Sequence, residues 1–597
     1  MESWSIEQYC ASQTEADWTP LSESAKAFLA ALELPTLHPF CGPDAPRPYA
    51  IPGVPPQGPL LQNAHLETWW DVVVTVVAMG VPSLWGMGEL WLRFFAALIA
   101  PLTIAHLLLV QLSAESKPSA MVSAVSLLSV TSSLVIMTDT NYVNEFGYEF
   151  GVYLFATSVA LSTLISWRRS MRRTFVVLIC LVILAVVMVY DSETGHWTFG
   201  HPHERYGLIA EGTYFDESNP FMQKVMHHWP ESYRSYGDDK ATWWQPTGDA
   251  RTGLPFVLNR SPEIVYHRLW LQVADGEAVA LDISFPDGDH SFEAPLYMIL
   301  HGLNGGSHEE FVRDFVDRRH KEGSTVVVMV ARGLMDLPIR GWNTFTGARW
   351  TDAHEAALAI RKGLGEHQIL GGAGYSMGAI ILSNYAARAG PECALDAAVA
   401  VSGGLDMRFE IDFYRAQRLW QPVLCATLRD DFIVGKWGER VRARLTKDEM
   451  KQMMRATHVS EIDKTAVVAY NGYRDLIDYY SDMSALGDVS MEEYASGVIP
   501  RHRRIHNISI PFAVIHGLDD PLVTYRTVVS HEEGPLHPTN LTRTGSGNLV
   551  LLLTKRGGHV GWPVGWMPHE NRWAWMHDAA MSFIHAVDKA RTETTSL

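Results

Sequence analysis

Apolar residues are distributed in two ways along the chain, in long runs near its beginning and in short runs later. Between residues 69 and 190 only about a tenth of the residues are charged. The four long runs lie at residues 90–113, 119–137, 147–166 and 174–190. Each is close to the roughly 20 apolar residues that a membrane-spanning helix needs. A fifth run, 72–88, is marginal because it contains Pro82. The pattern predicts a transmembrane block of about four spans at residues 69–190.

The loops between these runs differ in charge, and the difference predicts their orientation. The loop at residues 167–173 contains four arginines. The loop at 138–146 contains Asp139 and Glu145 and no lysine or arginine. Because arginine-rich loops stay on the cytoplasmic side of a membrane, the chain after Tyr190 is expected on the opposite side, luminal or extracytoplasmic.

After residue 262, short apolar runs alternate with helix-like segments, which is typical of a parallel sheet covered by helices on both faces. The predicted strands lie at residues 295–300, 324–331, 368–372, 397–401, 510–515 and 548–554. The predicted helices lie at residues 309–321, 352–363 and 377–388. Residues 404–500 interrupt this alternation with helix-like stretches and are expected to form a cap. Residues 191–262 show little periodicity and predict an irregular connector.

The composition excludes several classes of protein. The chain of 597 residues has a net charge of −18, which argues against a nucleic-acid partner. Its five cysteines are widely spaced and form no C-x-x-C pair, so neither a disulfide framework nor a zinc site is expected. No glycine-rich loop ends in Lys-Ser or Lys-Thr, as a nucleotide-phosphate site requires. The sequence therefore predicts no cofactor and no metal.

The pentapeptide at residues 374–378, Gly-Tyr-Ser-Met-Gly, matches the G-x-S-x-G pattern of a nucleophile elbow. Alone this pattern is a weak signal, but here it follows a predicted strand and begins a predicted helix. That order is required because the strained turn between them lifts the serine hydroxyl above the sheet. Ser376 is therefore the candidate nucleophile.

A serine needs a base within hydrogen-bond reach, and the base needs an acid that orients it. The pair Asp519-Asp520 and the later His559 each follow a predicted strand, in the order serine, acid, histidine. Asp520 is the candidate acid, because it lies three residues after Gly517 and precedes Pro521. Asp519 stays open as the alternative. His559, which lies between glycines, is the candidate base.

The negatively charged oxygen that forms during acyl transfer needs preorganised N–H donors. One is expected from Met377, directly after the nucleophile. The other is expected from Leu303, in the loop His-Gly-Leu-Asn-Gly-Gly that follows the predicted strand 295–300. His301 precedes the serine in the chain, so we expect it to brace this loop.

These motifs together resemble the AB hydrolase 4 family, membrane-associated serine esterases with an α/β-hydrolase fold. The matching stretches lie at residues 301–307, 331–333, 373–379, 478–481, 519–523 and 557–562. The resemblance implies Ser376 as nucleophile, Asp520 as acid and His559 as base. It also implies substrates among medium-chain acyl esters, monoacylglycerols and phospholipids, with acyl transfer to alcohols in some members.

A further motif of this family resembles residues 63–68, Asn-Ala-His-Leu-Glu-Thr, and normally lies shortly before the catalytic strands. Here the hydrophobic block separates the two. If the N-terminal arm, residues 1–68, packs on the catalytic domain, both ends of the block must emerge on one side of the membrane. The number of spans is then even, which favours four over five and leaves 72–88 as an interfacial or re-entrant segment.

The sequence therefore predicts an α/β protein with a catalytic α/β-hydrolase domain at residues 263–590, preceded by the arm, the transmembrane block and the connector. The expected function is that of a membrane-bound serine hydrolase that cleaves carboxylic esters of lipid-like substrates. Two alternatives stay open. One is an acyltransferase that uses the same triad with an alcohol as acceptor. The other is a non-catalytic hydrolase-fold module on a membrane transporter or receptor.

Overall fold

The computed structural model describes two parts of the chain, a short N-terminal stretch and most of the chain after residue 208. The described residues are 9–10, 17–41, 190–191, 196–197, 209–411, 413–429, 442–487, 504–530 and 534–595, except 238, 246–247, 336, 340–343, 414–415, 418–419, 443 and 535. Apart from Tyr190, the predicted transmembrane block lies outside them. Within the described ranges, every helix is too short or too polar to cross a bilayer.

Two compact units divide the chain. One comprises Met1–Gln62, Leu208–Asp412 and Trp420–Leu597, and the other comprises Asn63–Gly207 and Phe413–Leu419. In the second unit, strand β1 (Tyr190–Asp191) pairs antiparallel with β2 (His196–Trp197).

A nine-stranded mixed sheet forms the centre of the first unit. Its strands are β3 (Gly212–Tyr214), β4 (His267–Gln272), β5 (Ala278–Ser284), β6 (Leu296–Leu300), β7 (Val326–Val330), β8 (Leu370–Tyr375), β9 (Ala397–Val401), β10 (Phe512–Gly517) and β11 (Leu549–Thr554). The spatial order is β3-β11-β10-β9-β8-β6-β7-β5-β4. The six central strands are parallel to one another: β11, β10, β9, β8, β6 and β7. The outer strands β3, β4 and β5 pair antiparallel with their neighbours.

Helices pack on both faces of the sheet, and further helices lie between β9 and β10. They are α1 (Glu23–Ala31), α2 (Pro220–His228), α3 (Gly248–Leu258), α4 (Glu310–His320), α5 (Trp350–Arg361), α6 (Met377–Ala389), α7 (Gln421–Arg429), α8 (Lys447–Arg455), α9 (Val459–Ile462), α10 (Leu476–Met483), α11 (Pro538–Thr542), α12 (Pro568–Asn571) and α13 (Ala574–Thr595). Two large apolar clusters, one on each side of the sheet, bury the strands' side chains. The α/β-hydrolase fold is thereby confirmed, with a mixed sheet that is parallel at its centre. Helices α7 to α10 lie between β9 and β10, where the sequence predicts a cap.

The region predicted as an irregular connector contains regular structure, which corrects that prediction over its described part. Strand β3 extends the sheet beside β11, and α2 and α3 follow it. The start of α2 has a local signal, because Asn219 caps the helix and Pro220 occupies its first turn. The partner that stabilises α2 is distant in sequence, since Trp229 packs against Phe583 of α13.

The N-terminal stretch contacts the sheet domain through α1. Ser22 caps this helix, and Ser22 and Ser24 both donate hydrogen bonds to the Asp289 carboxylate. Phe28 is fully buried, and its ring lies 6.0 Å from that of Phe285.

A disulfide joins Cys10 to Cys41 and encloses this helix. The expectation that the chain has no disulfide framework was therefore wrong for this pair. A separation of 31 residues without a paired motif gives no local signal, because only the fold brings the two sulfurs together.

Candidate active site

Ser376 occupies a sharp turn between β8 and α6. Its backbone has φ 53° and ψ −120°, a conformation that is rare for a residue with a side chain. Two glycines permit the turn. A Cβ at Gly374 would lie 2.5 Å from the Gly378 carbonyl oxygen, and one at Gly378 would lie 2.2 Å from that of Leu300. The G-x-S-x-G spacing therefore follows from the close approach of α6 to β8 and β6.

His559 lies between the serine and an aspartate. Its Nε2 is 2.7 Å from Ser376 Oγ, and its Nδ1 is 2.8 Å from Asp520 Oδ2. The other carboxylate oxygen of Asp520 accepts hydrogen bonds from the N–H groups of Leu522 and Val523. The structure thus brings together the three residues that the sequence singled out, from the ends of β8, β10 and β11.

The ionisation of Asp520 determines which atoms donate and which accept in the hydrogen bonds that join Asp520, His559 and Ser376. Asp520 is fully buried, and burial alone would raise its pKa, but the charge of His559 and its hydrogen bond hold that pKa below the ordinary value. An ionised carboxylate accepts hydrogen bonds only, so Nδ1 of His559 carries the proton. In the neutral imidazole the other nitrogen, Nε2, is the acceptor for the Ser376 hydroxyl.

The predicted N–H donors, Leu303 and Met377, lie on two segments that meet at the serine. Met377 is the first residue of α6, where backbone N–H groups have no partner inside the helix. Leu303 follows Gly302, at which a Cβ would lie 3.5 Å from Ser376 Cβ. Within the described chain, neither of the two N–H groups donates to a backbone oxygen.

His301 holds the loop that carries Leu303. Its Nε2 accepts a hydrogen bond from the Ala331 N–H, and its Nδ1 lies 2.8 Å from the Gly302 oxygen. Burial lowers the pKa of His301 to about 4, so the ring is neutral and able to accept at Nε2. These contacts brace the loop against the end of β7.

Asp519, the alternative acid, makes other contacts. Its Oδ2 accepts a hydrogen bond from Arg251 at 2.7 Å, and its Oδ1 accepts one from the Gly558 N–H at 2.8 Å. Ser402, which the sequence did not single out, accepts a hydrogen bond from the Val560 N–H. Such residues have no motif, because they act on the loop around His559 from distant parts of the chain.

No family model matches the chain. Among known proteins it is similar to the monoacylglycerol lipase ABHD2 of Danio rerio, 24% identical over 356 residues, 58% of this chain and 78% of that protein. Phospholipase ABHD3 of Bos taurus is 24% identical over 386 residues, 63% of this chain and 84% of that protein. A solved structure of the esterase Pf2001 of Pyrococcus furiosus covers 55% of this chain and 98% of its own, at 13% identity and a TM-score of 0.31.

The relatives confirm the resemblance that the motifs indicated, because they are a monoacylglycerol lipase and a phospholipase of the ABHD type, matched over 58% and 63% of this chain. They also confirm the prediction that the chain is an enzyme that hydrolyses carboxylic esters. Among the described residues, no three His, Cys, Asp or Glu side chains are grouped so that they could hold a metal ion.

Proposed function

We propose that this chain is a membrane-bound serine hydrolase that cleaves the carboxylic esters of lipid-like substrates. The observation that carries the proposal is the 2.7 Å separation of Ser376 Oγ and His559 Nε2, with Asp520 hydrogen-bonded to the other side of the imidazole. This arrangement activates a serine hydroxyl for attack on an acyl carbonyl.

The reaction proceeds in two halves. The Ser376 hydroxyl attacks the acyl carbon while His559 accepts its proton, and Asp520 stabilises the resulting imidazolium. The N–H groups of Leu303 and Met377 bind the negative oxygen of the tetrahedral intermediate. His559 then donates the proton to the leaving alcohol. Water, activated by the same histidine, attacks the acyl-enzyme and releases the acid.

An apolar acyl chain suits the surroundings of the serine. The side chain of Met377 packs on a cluster that includes Met407, Tyr479, Tyr480 and Met483. The side chain of Leu303 packs on a second cluster that includes Cys425, Leu428, Met453 and Ile462. Both clusters draw on residues between β9 and β10. The proposed cap therefore presents hydrophobic, methionine-rich walls beside both proposed oxyanion donors, which favours a flexible hydrocarbon substrate.

The membrane-bound state and the luminal or extracytoplasmic orientation have separate support. The apolar runs at residues 69–190 and the arginines at 167–173 favour spans with the later chain on the non-cytoplasmic side. The Cys10–Cys41 disulfide agrees with that orientation, because disulfides persist in oxidising compartments and are rare in the cytosol.

The test is the Ser376→Ala variant. It should lose all labelling by a fluorophosphonate probe, and its hydrolysis of p-nitrophenyl esters and glycerolipids should fall by about 10⁶-fold in kcat. Ser383→Ala is the matched control, because buried Ser383 lies in the same helix and its hydroxyl donates to the Ala379 backbone oxygen, within that helix.

Labelling of the Ser376→Ala protein at the wild-type level would reject Ser376 as nucleophile. Wild-type protein that neither reacts with the probe nor cleaves any ester would reject the hydrolase itself. Product analysis with added alcohol separates hydrolysis from acyl transfer, because only transfer gives a new ester.

A further inference from the structure

Helix α3 lies against the loop that carries His559. The fifth residue of this helix is Thr252, whose Oγ1 accepts a hydrogen bond from the His559 N–H at 2.8 Å. The same hydroxyl donates to the Gly248 oxygen at 2.7 Å, which fixes its rotamer. The backbone of the proposed base is thus held by a residue more than 300 positions earlier in the chain.

Arg251, the neighbouring residue, holds the same loop by a second route. Its guanidinium donates to Asp519 Oδ2 at 2.7 Å, and both side chains are almost wholly buried, at 0% and 1% exposure. The other oxygen of Asp519 accepts from the Gly558 N–H. Breaking a buried ion pair leaves an uncompensated charge. The pair therefore fixes the positions of the acid loop and the base loop together.

Three glycines allow this close contact. A Cβ at Gly248 would lie 1.8 Å from the backbone oxygen of Asp519, and a Cβ at Gly561 would lie 2.3 Å from the backbone oxygen of Arg251. Gly558 has φ +66°, and a Cβ there would lie 2.9 Å from Thr252 Oγ1. The glycines around His559 are thus required by the packing of α3, in addition to any requirement of catalysis.

We propose that Arg251 and Thr252 are positioning residues for the triad, and that Gly248, Arg251 and Thr252 form a clamp on the loop of His559. We call these three residues the α3 clamp. The inference rests on the proposed hydrolase function for its catalytic consequence. The clamp keeps the imidazole at hydrogen-bond distance from both Ser376 and Asp520.

The decisive variant is Thr252→Val, which keeps the shape of the side chain and removes the hydroxyl. We expect kcat to fall about 10- to 100-fold, since displacements of about 1 Å at a reacting group have effects of this size. KM should change by less than about threefold, because substrate binding is not altered. Thr252→Ser, which restores the hydroxyl, should recover most of kcat.

The pH profile separates positioning from mere stabilisation of the fold. A loosened loop would lengthen the hydrogen bond between His559 Nδ1 and Asp520 Oδ2. The pH profile of kcat, which reports protonation of the base, should then differ from that of wild type in Thr252→Val. Thr542→Val is the matched control, because buried Thr542 also donates to the carbonyl four residues earlier, and its two hydroxyl acceptors in the described chain are the backbone oxygens of Pro538 and Thr539.

The Arg251 route is tested by a pair of variants. Arg251→Met alone leaves the Asp519 carboxylate buried without its partner and should lower kcat further than the double variant Arg251→Met/Asp519→Asn. In the double variant the amide oxygen still accepts from the Gly558 N–H. Equal losses in the single and double variants would contradict the proposed coupling.

A measurement that does not need activity completes the test. Hydrogen exchange of the peptide spanning residues 557–562 should be faster in Thr252→Val than in wild type and in Thr542→Val. If the exchange rates and pH profiles of Thr252→Val and Thr542→Val agree, the clamp is wrong. A wild-type chain without ester hydrolysis would reject the proposed function, whereas the exchange comparison would still decide on the clamp.

Discussion

Backbone strain is concentrated around the proposed catalytic residues. Positive φ angles occur in Asn304, Ser376, Ser402, Val560 and Trp562, none of which is glycine. Such conformations cost on the order of 1–3 kcal/mol each and persist only where the surroundings enforce them. For Val560 the enforcing contact is the hydrogen bond from its N–H to Ser402 Oγ. These five positions include the proposed nucleophile and two residues of the loop that carries the proposed base, whereas the other non-glycine residues with positive φ in the described chain are Glu33, Asp287, Met335 and Arg572.

The acid illustrates what residue patterns can and cannot decide. The sequence predicted Asp520, after the fifth parallel strand, as the acid and kept its neighbour Asp519 as the alternative. In the structure, Asp520 is hydrogen-bonded to His559, and Asp519 accepts a hydrogen bond from Arg251. The partner of Asp519, Arg251, precedes the predicted catalytic domain and has no motif. Distant partners of this kind lie beyond sequence patterns.

Asp520→Asn should reduce kcat by about 10⁴-fold, because an amide cannot hold the tautomer with the proton on Nδ1 or stabilise the imidazolium. Steady-state hydrolysis of a p-nitrophenyl ester measures the loss. Asp352→Asn is the control, since Asp352 is a buried carboxylate paired with Arg332 outside the site. It should lose stability while kcat stays within about threefold of wild type. A kcat near the wild-type value in Asp520→Asn would show that the carboxylate does not orient the base.

At the scale of elements, the parallel strands were predictable and the antiparallel ones were not. Strands β6 to β11 are apolar and fully buried, so their runs stand out in the sequence. Strand β5 is equally buried but contains Asp282, which interrupts its apolar pattern. That charge is neutralised by Arg268 of β4, which donates two hydrogen bonds to it across the strand pair. The compensation becomes visible only when β4 and β5 are paired.

The helical segment between β9 and β10 contains a buried acid with consequences for pH dependence. Asp463 accepts a hydrogen bond from the Tyr480 hydroxyl at 2.8 Å, and burial raises its pKa to about 7. The folded state therefore retains a proton that the unfolded chain loses near pH 4. The contribution of protonated Asp463 to the free energy of unfolding is complete below the pKa of the unfolded chain and is lost as the pH rises through about 7. The free energy of unfolding then changes by at most about 1.4 kcal/mol per pH unit.

Asp463→Asn removes this titration. The variant should be more resistant than wild type to loss of structure in this segment at pH 8, and the difference should shrink towards pH 5. The measurement is hydrogen exchange of residues 459–483 in the variant and in wild type at both pH values, corrected for the intrinsic exchange rates. Asp448→Asn, at an exposed position of the neighbouring α8, should retain the wild-type pH dependence. Parallel behaviour of Asp463→Asn and wild type across this range would contradict a buried, protonated Asp463.

For the whole molecule, the contacts of the N-terminal stretch restrict the path of the chain. Helix α1 packs on the sheet domain through Phe28 and Phe285, and Lys362 pairs with Glu33 at its end. The Cys10–Cys41 disulfide keeps this stretch together up to residue 41. The stretch therefore lies on the same side of any membrane as the sheet domain. If residues 69–190 span the bilayer, we therefore expect an even number of crossings, in line with the four spans that the sequence predicts.

This restriction gives a prediction for the full-length chain in sealed membrane vesicles. Epitope tags at the N-terminus and the C-terminus should be protected from added protease together, whereas a tag in the loop at residues 167–173 should be cleaved. Cys10 and Cys41 should react with a maleimide only after reduction and permeabilisation, because their disulfide forms on the protected side. Detergent-opened vesicles, in which all tags become accessible, are the control. Termini on opposite sides of the membrane would contradict the even number of spans that we expect from the packing of α1 on the sheet domain. Both termini exposed with a protected loop would reverse the orientation inferred from the arginines.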